Sequence, residues 1–462
     1  MGTGPASVDG SGEQGISLRE AVPTWAYIGL NSFGGPTGQI AVMHKVLVEQ
    51  KRWISEERFL HALNYCMLLP GPEATQLATY VGWLMHRTAG GLVAGVLFIL
   101  PGFVSILFLS VAYTSWRGVP AVDGLLFGLK AAVLAIIIEA VIRIGRKVLH
   151  NPAMVTIAAA SFAAIFFFQV PFPVIIGAAA LIGLLGDRLR PDLFEVLKPK
   201  TASKRSADPS PYATDLMDAS HTRPTRTRAI RVLLIWLPLW LVPTAVLRWW
   251  LGPDDVFAAE ALFFTKAAVV TFGGAYAVLA YIAQQAVDVY GWLAPGEMIT
   301  GLGLAETTPG PLIQVVQFVG YMGAYRDPGE LHPVTAGVIA SILVTWVTFV
   351  PCFMWIFLGA PFMEHLRGKR SLTAALSTIT AAVVGVVANL SVWFAVHTLF
   401  GRVDERTWYG ARLLIPHWPS FDWAAATIAI VAGVTLFKLH WGVLRTLAVA
   451  VALSIGWTVL GG

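Results

Sequence analysis

The chain has 462 residues, 56% of them hydrophobic and only 13% charged, with a mean hydropathy of +0.67 and a formal net charge of +5. Soluble domains carry roughly a quarter charged residues, so this composition excludes an ordinary soluble fold and indicates a polytopic membrane protein. The positive charge is spread along the chain rather than gathered into a nucleic-acid footprint, and the two cysteines, Cys66 and Cys352, have neither disulfide-framework nor zinc spacing.

Residues 1–17 are Gly/Ser-rich and read as a disordered tail, without the basic start and short apolar core of a signal peptide. Two interrupted segments follow. The first, 18–51, is broken at Phe33-Gly34-Gly35, and the second, 56–86, at Pro70-Gly71-Pro72. Apolar spans predicted near 89–115, 121–143, 151–168 and 171–187 complete a first repeat over 18–187. Residues 188–230 are hydrophilic and rich in Lys and Arg, which makes them a cytoplasmic linker. An extra Trp-rich span over 231–250 contains Pro238 and Pro243.

The second repeat, 257–462, has the same plan. Its broken segments are 257–287 and 296–325, followed by spans near 333–358, 372–399, 421–437 and 440–459. Phe272-Gly273-Gly274, Trp292 and Pro309-Gly310-Pro311 each lie 239 positions after Phe33-Gly34-Gly35, Trp53 and Pro70-Gly71-Pro72. Val81-Gly82 matches Val319-Gly320 after a one-residue gap, and Pro101-x-Phe103 matches Pro351-x-Phe353 after a longer insertion. Three matches at one fixed offset indicate a duplication. Seventeen tryptophans suit aromatic belts at two interfaces.

Charge then assigns orientation. The loop between the first two broken segments carries Lys45, Lys51, Arg52 and Arg58, whereas its counterpart near 284–297 carries only Asp288 and Glu297. The positive-inside rule places these loops on opposite faces, so the two halves are inverted. With the linker inside, Arg143–His150 and Arg367–Arg370 fall inside and Asp254-Asp255 outside. The loop over 45–58 falls inside only where 56–86 enters and returns without crossing, so re-entrant hairpins are the favoured expectation and a kinked full crossing is the alternative, since positive-inside is a bias with exceptions. The fold class is therefore all-α, with two inverted repeats of two broken helices and about four spans each, plus one linking span.

Glycine and proline pairs interrupt helices, and an interrupted helix within a bilayer needs other partners for its backbone. Matched interruptions in two halves point to a transporter's substrate site. After each Pro-Gly-Pro a half-helix starts, and its first amides and positive dipole end offer a seat for an oxyanion. The substrate-binding candidates are Ser32, Gly34, Gly35, Thr37, Gly71, Thr75, Gln76, Thr271, Gly273, Gly274, Gly310 and Gln314, with Thr79 and Gln317 nearby. Hydroxyls and amides are suitable neutral ligands; for any one of them an interhelical hydrogen bond is the plainer role.

Glu73 and Glu306 sit beside the Pro-Gly-Pro breaks. A carboxylate at membrane depth costs roughly 2.5–3.5 kcal/mol on the insertion scale, so each is a candidate to carry a coupling proton or else to stabilise its break. Among the cations, Lys130 inside 125–138 is a candidate to balance the anion, while Lys266 and Arg87 fit snorkelling to an interface. No phosphate-binding loop occurs, so transport runs on an ion gradient or on the substrate's own. No cofactor or metal is indicated.

Ser32-Phe-Gly-Gly-Pro-Thr-Gly-Gln-Ile-Ala with Met43-His44 and Trp53-Ile54-Ser55, together with the block from Asn64 through Pro70-Gly-Pro-Glu-Ala-Thr-Gln to Trp83, resembles the chromate ion transporter superfamily. Thr271-Phe-Gly-Gly-Ala-Tyr and Thr308-Pro-Gly-Pro-Leu resemble its second domain. The resemblance implies a long, two-domain protein of the bacterial inner membrane that exports chromate, driven by membrane potential or a proton gradient, with sulfate as a related ligand. It also implies an odd number of spans and antiparallel halves. The expected partners are thus chromate or sulfate, a coupling proton and the bilayer, with a homodimer allowed. Sulfate uptake on the same fold, a channel, and an intramembrane lipid-modifying enzyme are the competing readings.

Overall fold

The computed structural model describes residues 16–67, 69–116, 118–194, 224–272, 275–294, 296–362 and 370–459. Gly273, Gly274, most of the expected tail, residues 195–223 of the expected linker and 363–369 of the loop ending at Arg370 lie outside the described residues.

The first half runs α1 (Leu18–Asn31), α2 (Gly35–His44), α3 (Glu56–Cys66), α4 (Glu73–Ser115), α5 (Pro120–Val148), α6 (Pro152–Phe168), α7 (Phe172–Leu189) and the short α8 (Pro191–Phe194). After α9 (Arg226–Trp250) come α10 (Val256–Val270), α11 (Ala275–Gln284), α12 (Glu297–Thr307), α13 (Val315–Arg326), α14 (Pro333–Gly359), α15 (Arg370–Leu399), α16 (Trp423–Phe437) and α17 (Val443–Val459). Among the described residues, α4, α5, α7, α9, α14 and α15 are long and apolar enough to cross a bilayer; α6, α16 and α17 are shorter apolar helices. The protein is an all-α polytopic membrane protein. One antiparallel hairpin, β1 (Val403–Trp408) with β2 (Ala411–Pro416), was not expected from sequence.

The helix interruptions fall where glycine and proline predict them. Ser17 and Glu20 form a reciprocal capping box that starts α1. The helix ends at Ser32, and Gly34 and Gly35 take φ of 77° and 68°, a region closed to most side chains. Each half-helix of α1 to α3 and of α10 to α13 has 10–15 residues, shorter than the ~20 needed to cross a bilayer.

These half-helices fold back on one another. Phe263 on α10 stacks near Tyr281 on α11 with ring centroids 5.4 Å apart. Glu297 at the start of α12 pairs with Arg326 at the end of α13 at 2.6 Å. In the first half, Tyr65 on α3 lies 6.0 Å from Tyr80 beyond the Pro-Gly-Pro break. A second reversal follows within α4, where His86 and Arg87 leave helical geometry. The two arms of α4, 73–85 and 88–115, then pack so closely that a side chain at Gly82 would overlap Gly90 and Ala94.

Prolines inside the long helices serve the packing. Proline lacks an N–H and so leaves the carbonyl four residues earlier without its helical donor. Pro351 frees Val347 O, which accepts the indole N–H of Trp240 from α9 at 2.9 Å. Pro243 frees Leu239 O, which accepts Trp346 from α14 at 2.7 Å. This reciprocal pair holds α9 against α14. Only 11% of the apolar window of α9 is buried within the protein, against 61% for α5. The extra span is therefore peripheral, and the two indole bonds are its main polar attachment to the bundle.

Candidate functional site

The four interruptions meet. Gly71 donates its backbone N–H to Thr271 O at 2.8 Å, and Gly310 donates its N–H to Ser32 O at 2.9 Å. Each Pro-Gly-Pro glycine of one half thus bonds the hydroxyl residue that ends the helix before the Phe-Gly-Gly turn of the other. The hydroxyls themselves turn back into their helices: Ser32 Oγ donates to Ile28 O at 2.6 Å and Thr271 Oγ1 to Ala267 O at 2.7 Å. Both residues of one pair lie 239 positions from their counterparts in the other.

Both glycines are required by their surroundings. Gly71 has φ of 123°, and a Cβ there would come within 3.0 Å of Cys352 Sγ and 2.9 Å of Gln76 Nε2. Gly310 has φ of 96°, and a Cβ would come within 3.0 Å of the Gly102 backbone. Gly102 follows Pro101 in α4 as Cys352 follows Pro351 in α14, so each break is wedged against a proline-containing span of the matching kind.

The sequence predicts Gly71 and Gly310 as substrate-binding residues and free amides in the first turns of the half-helices that follow them. The amides of Gly71 and Gly310 are occupied by the cross-half bonds. The unfilled donors lie one step further along. The first intrahelical bond of α4 is Gln76 N to Pro72 O, and no side chain caps the helix, which leaves the amides of Glu73, Ala74 and Thr75 beyond its reach. Likewise the turn Leu312–Gln314 begins with Gln314 N to Pro311 O and has no side-chain cap.

Buried polar atoms without partners among the described residues surround these ends: Thr75 Oγ1, Gln76 Oε1, Gln314 Oε1, Thr348 Oγ1 and Glu306 Oε2. Burying such groups without partners costs roughly 1–3 kcal/mol each, which favours a site completed by a ligand or water. A small recess between the breaks is lined by Gly71, Pro72, Thr271, Ile313 and Thr348 and backed by Phe264. The amides that do have partners hold the loops. Gln76 Nε2 donates to Pro70 O at 2.7 Å, Gln39 Nε2 to Gly310 O at 2.7 Å, and Gln317 Nε2 to Phe103 O at 3.0 Å. Gln314 Nε2 reaches Gln317 Oε1 at 2.5 Å and Thr345 Oγ1 at 3.1 Å.

Glu306 is buried at the end of α12, where Tyr276 Oη donates to its Oε1 at 2.5 Å. A Cβ on Gly35 would stand 3.5 Å from Tyr276 Oη and 4.0 Å from the Glu306 carboxylate, so this acid faces the Phe-Gly-Gly turn of the opposite half. Glu73 is half-buried in the first turn of α4. Thr37 is exposed on α2 and does not belong to the buried cluster, and Lys266 is exposed on α10, as snorkelling requires. Lys130 is half-buried on α5, which packs against α12, the helix of Glu306. Ser32, Gly35, Gly71, Thr75, Gln76, Thr271, Glu306, Gly310 and Gln314 are brought together.

Gln39, Tyr276, Gly102, Cys352 and Thr348 belong to the same cluster but escaped the sequence reading. Gln39 and Tyr276 follow their Phe-Gly-Gly turns by four and two residues. Gly102 and Cys352 were flagged only through the prolines before them. Nothing in the sequence around Thr348 marks it.

The sequence profile of the family described as "Chromate transporter" matches residues 20–184 and 259–457. A chromate transport protein of Pseudomonas aeruginosa is 31% identical over 79% of this chain and 78% of its own length. A chromate transport protein of Cupriavidus metallidurans is 25% identical over 82% of this chain and 83% of its own. An uncharacterized Bacillus subtilis transporter, YwrB, is 25% identical over 41% of this chain and 94% of its own length, about the extent of one half. No solved structure matches the chain significantly.

Proposed function

Because the chain belongs to the chromate transporter family, we propose that it is a secondary transporter that exports chromate through the bacterial inner membrane. The observation that carries this reading is the pair of cross-half bonds, Gly71 to Thr271 and Gly310 to Ser32, beside uncapped buried helix starts. A tetrahedral dianion entering there would be met by the amides of Glu73–Thr75 and Leu312–Ile313 and by the hydroxyls of Thr75 and Thr348, while Gln76 and Gln314, whose Nε2 groups already donate within the protein, hold the helix starts in place. Backbone donors with positive dipole ends replace the hydration shell of an anion without adding a fixed positive charge, so the ion can still leave.

The halves are read as inverted. The fold-back of α10 on α11 and of α12 on α13 supports re-entrant hairpins, and four spans per half plus α9 then make an odd total. The charge bias of the loops supports a cytoplasmic N-terminal side and linker. Direction follows from charge. Moving a dianion outward along an inside-negative potential gains about 4–5 kcal/mol per 100 mV, since each charge contributes ~2.3 kcal/mol. Uptake would need at least two co-transported monovalent cations to cancel that term. Glu306, next to the anion route through Gly35, is the first candidate to carry a proton in exchange, and Glu73 the second.

Sulfate has the same charge and shape, and main-chain donors separate the two poorly. Proteoliposomes with imposed potential and pH gradients test the assignment. Saturable chromate efflux that grows with an inside-negative potential is the expected result; robust sulfate flux without chromate flux retires chromate as the cargo.

A further inference from the structure

Glu260 is buried, with 0% of its surface exposed, and neither carboxylate oxygen has a hydrogen-bond partner among the described residues. It lies on α10 about one and a half turns beyond Asp255, the residue that caps the helix. Its carboxylate rests against α13, where two glycines make room: a Cβ on Gly320 would stand 3.4 Å from Oε2, and one on Gly323 would overlap Oε1. Trp292 closes the pocket, 3.0 Å from the same position at Gly323, and Val344 of α14 lines it beside Gly320.

The fold does not need an acid here. The residue 239 positions earlier is Ala21, fully buried on α1, and the positions aligned with Gly320 and Gly323 are Gly82 and Met85. The first half has no acid at this place; in the second a carboxylate faces glycine.

The groups around Glu260 leave it without a counter-charge. Asp255 on its own helix is of like charge and already caps the helix start. On α13, Arg326 is engaged by Glu297 at 2.6 Å and by Trp292 O at 2.5 Å, while Tyr321 shares a hydrogen bond with Thr114 at 3.1 Å and Tyr325 stacks on Tyr321. On α11, Tyr276 is given to Glu306 and Tyr281 packs on Phe263 and Phe172. Arg248 is half-buried in the last turn of α9, and α14 has no charged residue, its one titratable side chain being Cys352 beside Gly71. An unpaired carboxylate in such a pocket is unfavourable unless it carries a proton.

We propose that Glu260 is a proton-binding site, separate from Glu306, that couples proton movement to transport. The proposal rests on the transport reading above. Its mechanical basis is position: α10 leads to Thr271 and α13 leads away from Gly310, so both half-helices that clasp Glu260 end at the cross-half bonds. Opening those bonds moves α13 against α10 and brings the acid to water. The step is a proton transfer alone: carboxylic acid and water become carboxylate and hydronium, with no change in electron count.

Infrared difference spectra of the purified full-length protein between neutral and alkaline pH, without chromate, test the site directly. A neutral-carboxyl C=O band is expected in wild type, lost in Glu260→Gln and retained but shifted in Glu260→Asp. In proteoliposomes, chromate-driven proton movement is expected to fall at least fivefold in Glu260→Gln. The same band in Glu260→Gln as in wild type, or proton movement within twofold of wild type, overturns the proposal. Should Glu260→Gln fail to fold, an unshifted band in Glu260→Asp overturns it equally. An intact Glu260 band in a protein that moves no chromate refutes the cargo and leaves the proton site standing.

Discussion

At the residue scale, the break glycines carry the sharpest expectations. Gly310→Ala places a Cβ at φ of 96° and 3.0 Å from Gly102, combining a left-handed backbone cost of roughly 1–2 kcal/mol with a close contact to main chain. Chromate flux in everted vesicles is expected to drop at least tenfold with membrane insertion retained; flux within twofold of wild type would remove the close-approach argument. Gly34 offers a contrast, because its φ is also positive but nothing stands within 4 Å of its Cβ position. Gly34→Ala is expected to retain more activity than Gly310→Ala, and the reverse order would mean that backbone conformation, not space, sets the requirement. Glu306→Gln keeps an acceptor for Tyr276 but cannot change charge. Stimulation of flux by a pH gradient is expected to disappear in it, and a preserved response would leave Glu306 a structural partner of Tyr276.

At the element scale, stability concentrates where proline and tryptophan cooperate. The α9–α14 bonds use carbonyls that Pro243 and Pro351 have released, so the donors are matched to acceptors the helices cannot satisfy alone. Hydrogen bonds between membrane helices contribute roughly 0.6 kcal/mol on average and up to ~2. Trp240→Phe is therefore expected to lower unfolding stability in mixed micelles by about 1 kcal/mol. A variant as stable as wild type would mean that apolar packing alone fixes α9. The same elements divide legible from illegible. The proline of α14 was readable as a match to Pro101; its consequence, a carbonyl offered to an indole 107 positions away, was not.

At the scale of the whole molecule, the inverted reading assigns the loop 45–55 and the loop 290–294 to opposite faces. Single cysteines at Glu49 and Gly291 report this directly, since the native Cys66 and Cys352 are both buried. Membrane-impermeant maleimide added to right-side-out cells is expected to label Gly291→Cys and not Glu49→Cys. Labelling of both from one side would end the inversion. The ion pairs near each loop differ in kind. His44 contacts Glu49 and Glu56 within the first, whereas Asp288 in the second half reaches Arg412 of the β-hairpin at 3.6 Å.

Composition and spacing alone determined the membrane class, the long spans, the duplicated breaks and most residues of the cluster. Those features are local: helix interruption depends on glycine and proline at a given position, and a hydrophobic run is long enough to span or it is not. Which atoms meet across the breaks was decided only by tertiary structure. Ser32 and Gly310 stand 278 positions apart, and no local rule pairs a carbonyl with an amide over that distance. Packing therefore commits the amides of Gly71 and Gly310 to cross-half bonds and leaves the open donors at the helix starts just beyond them. It also left Glu260, one acid in an apolar run, without a hydrogen-bond partner among the described residues.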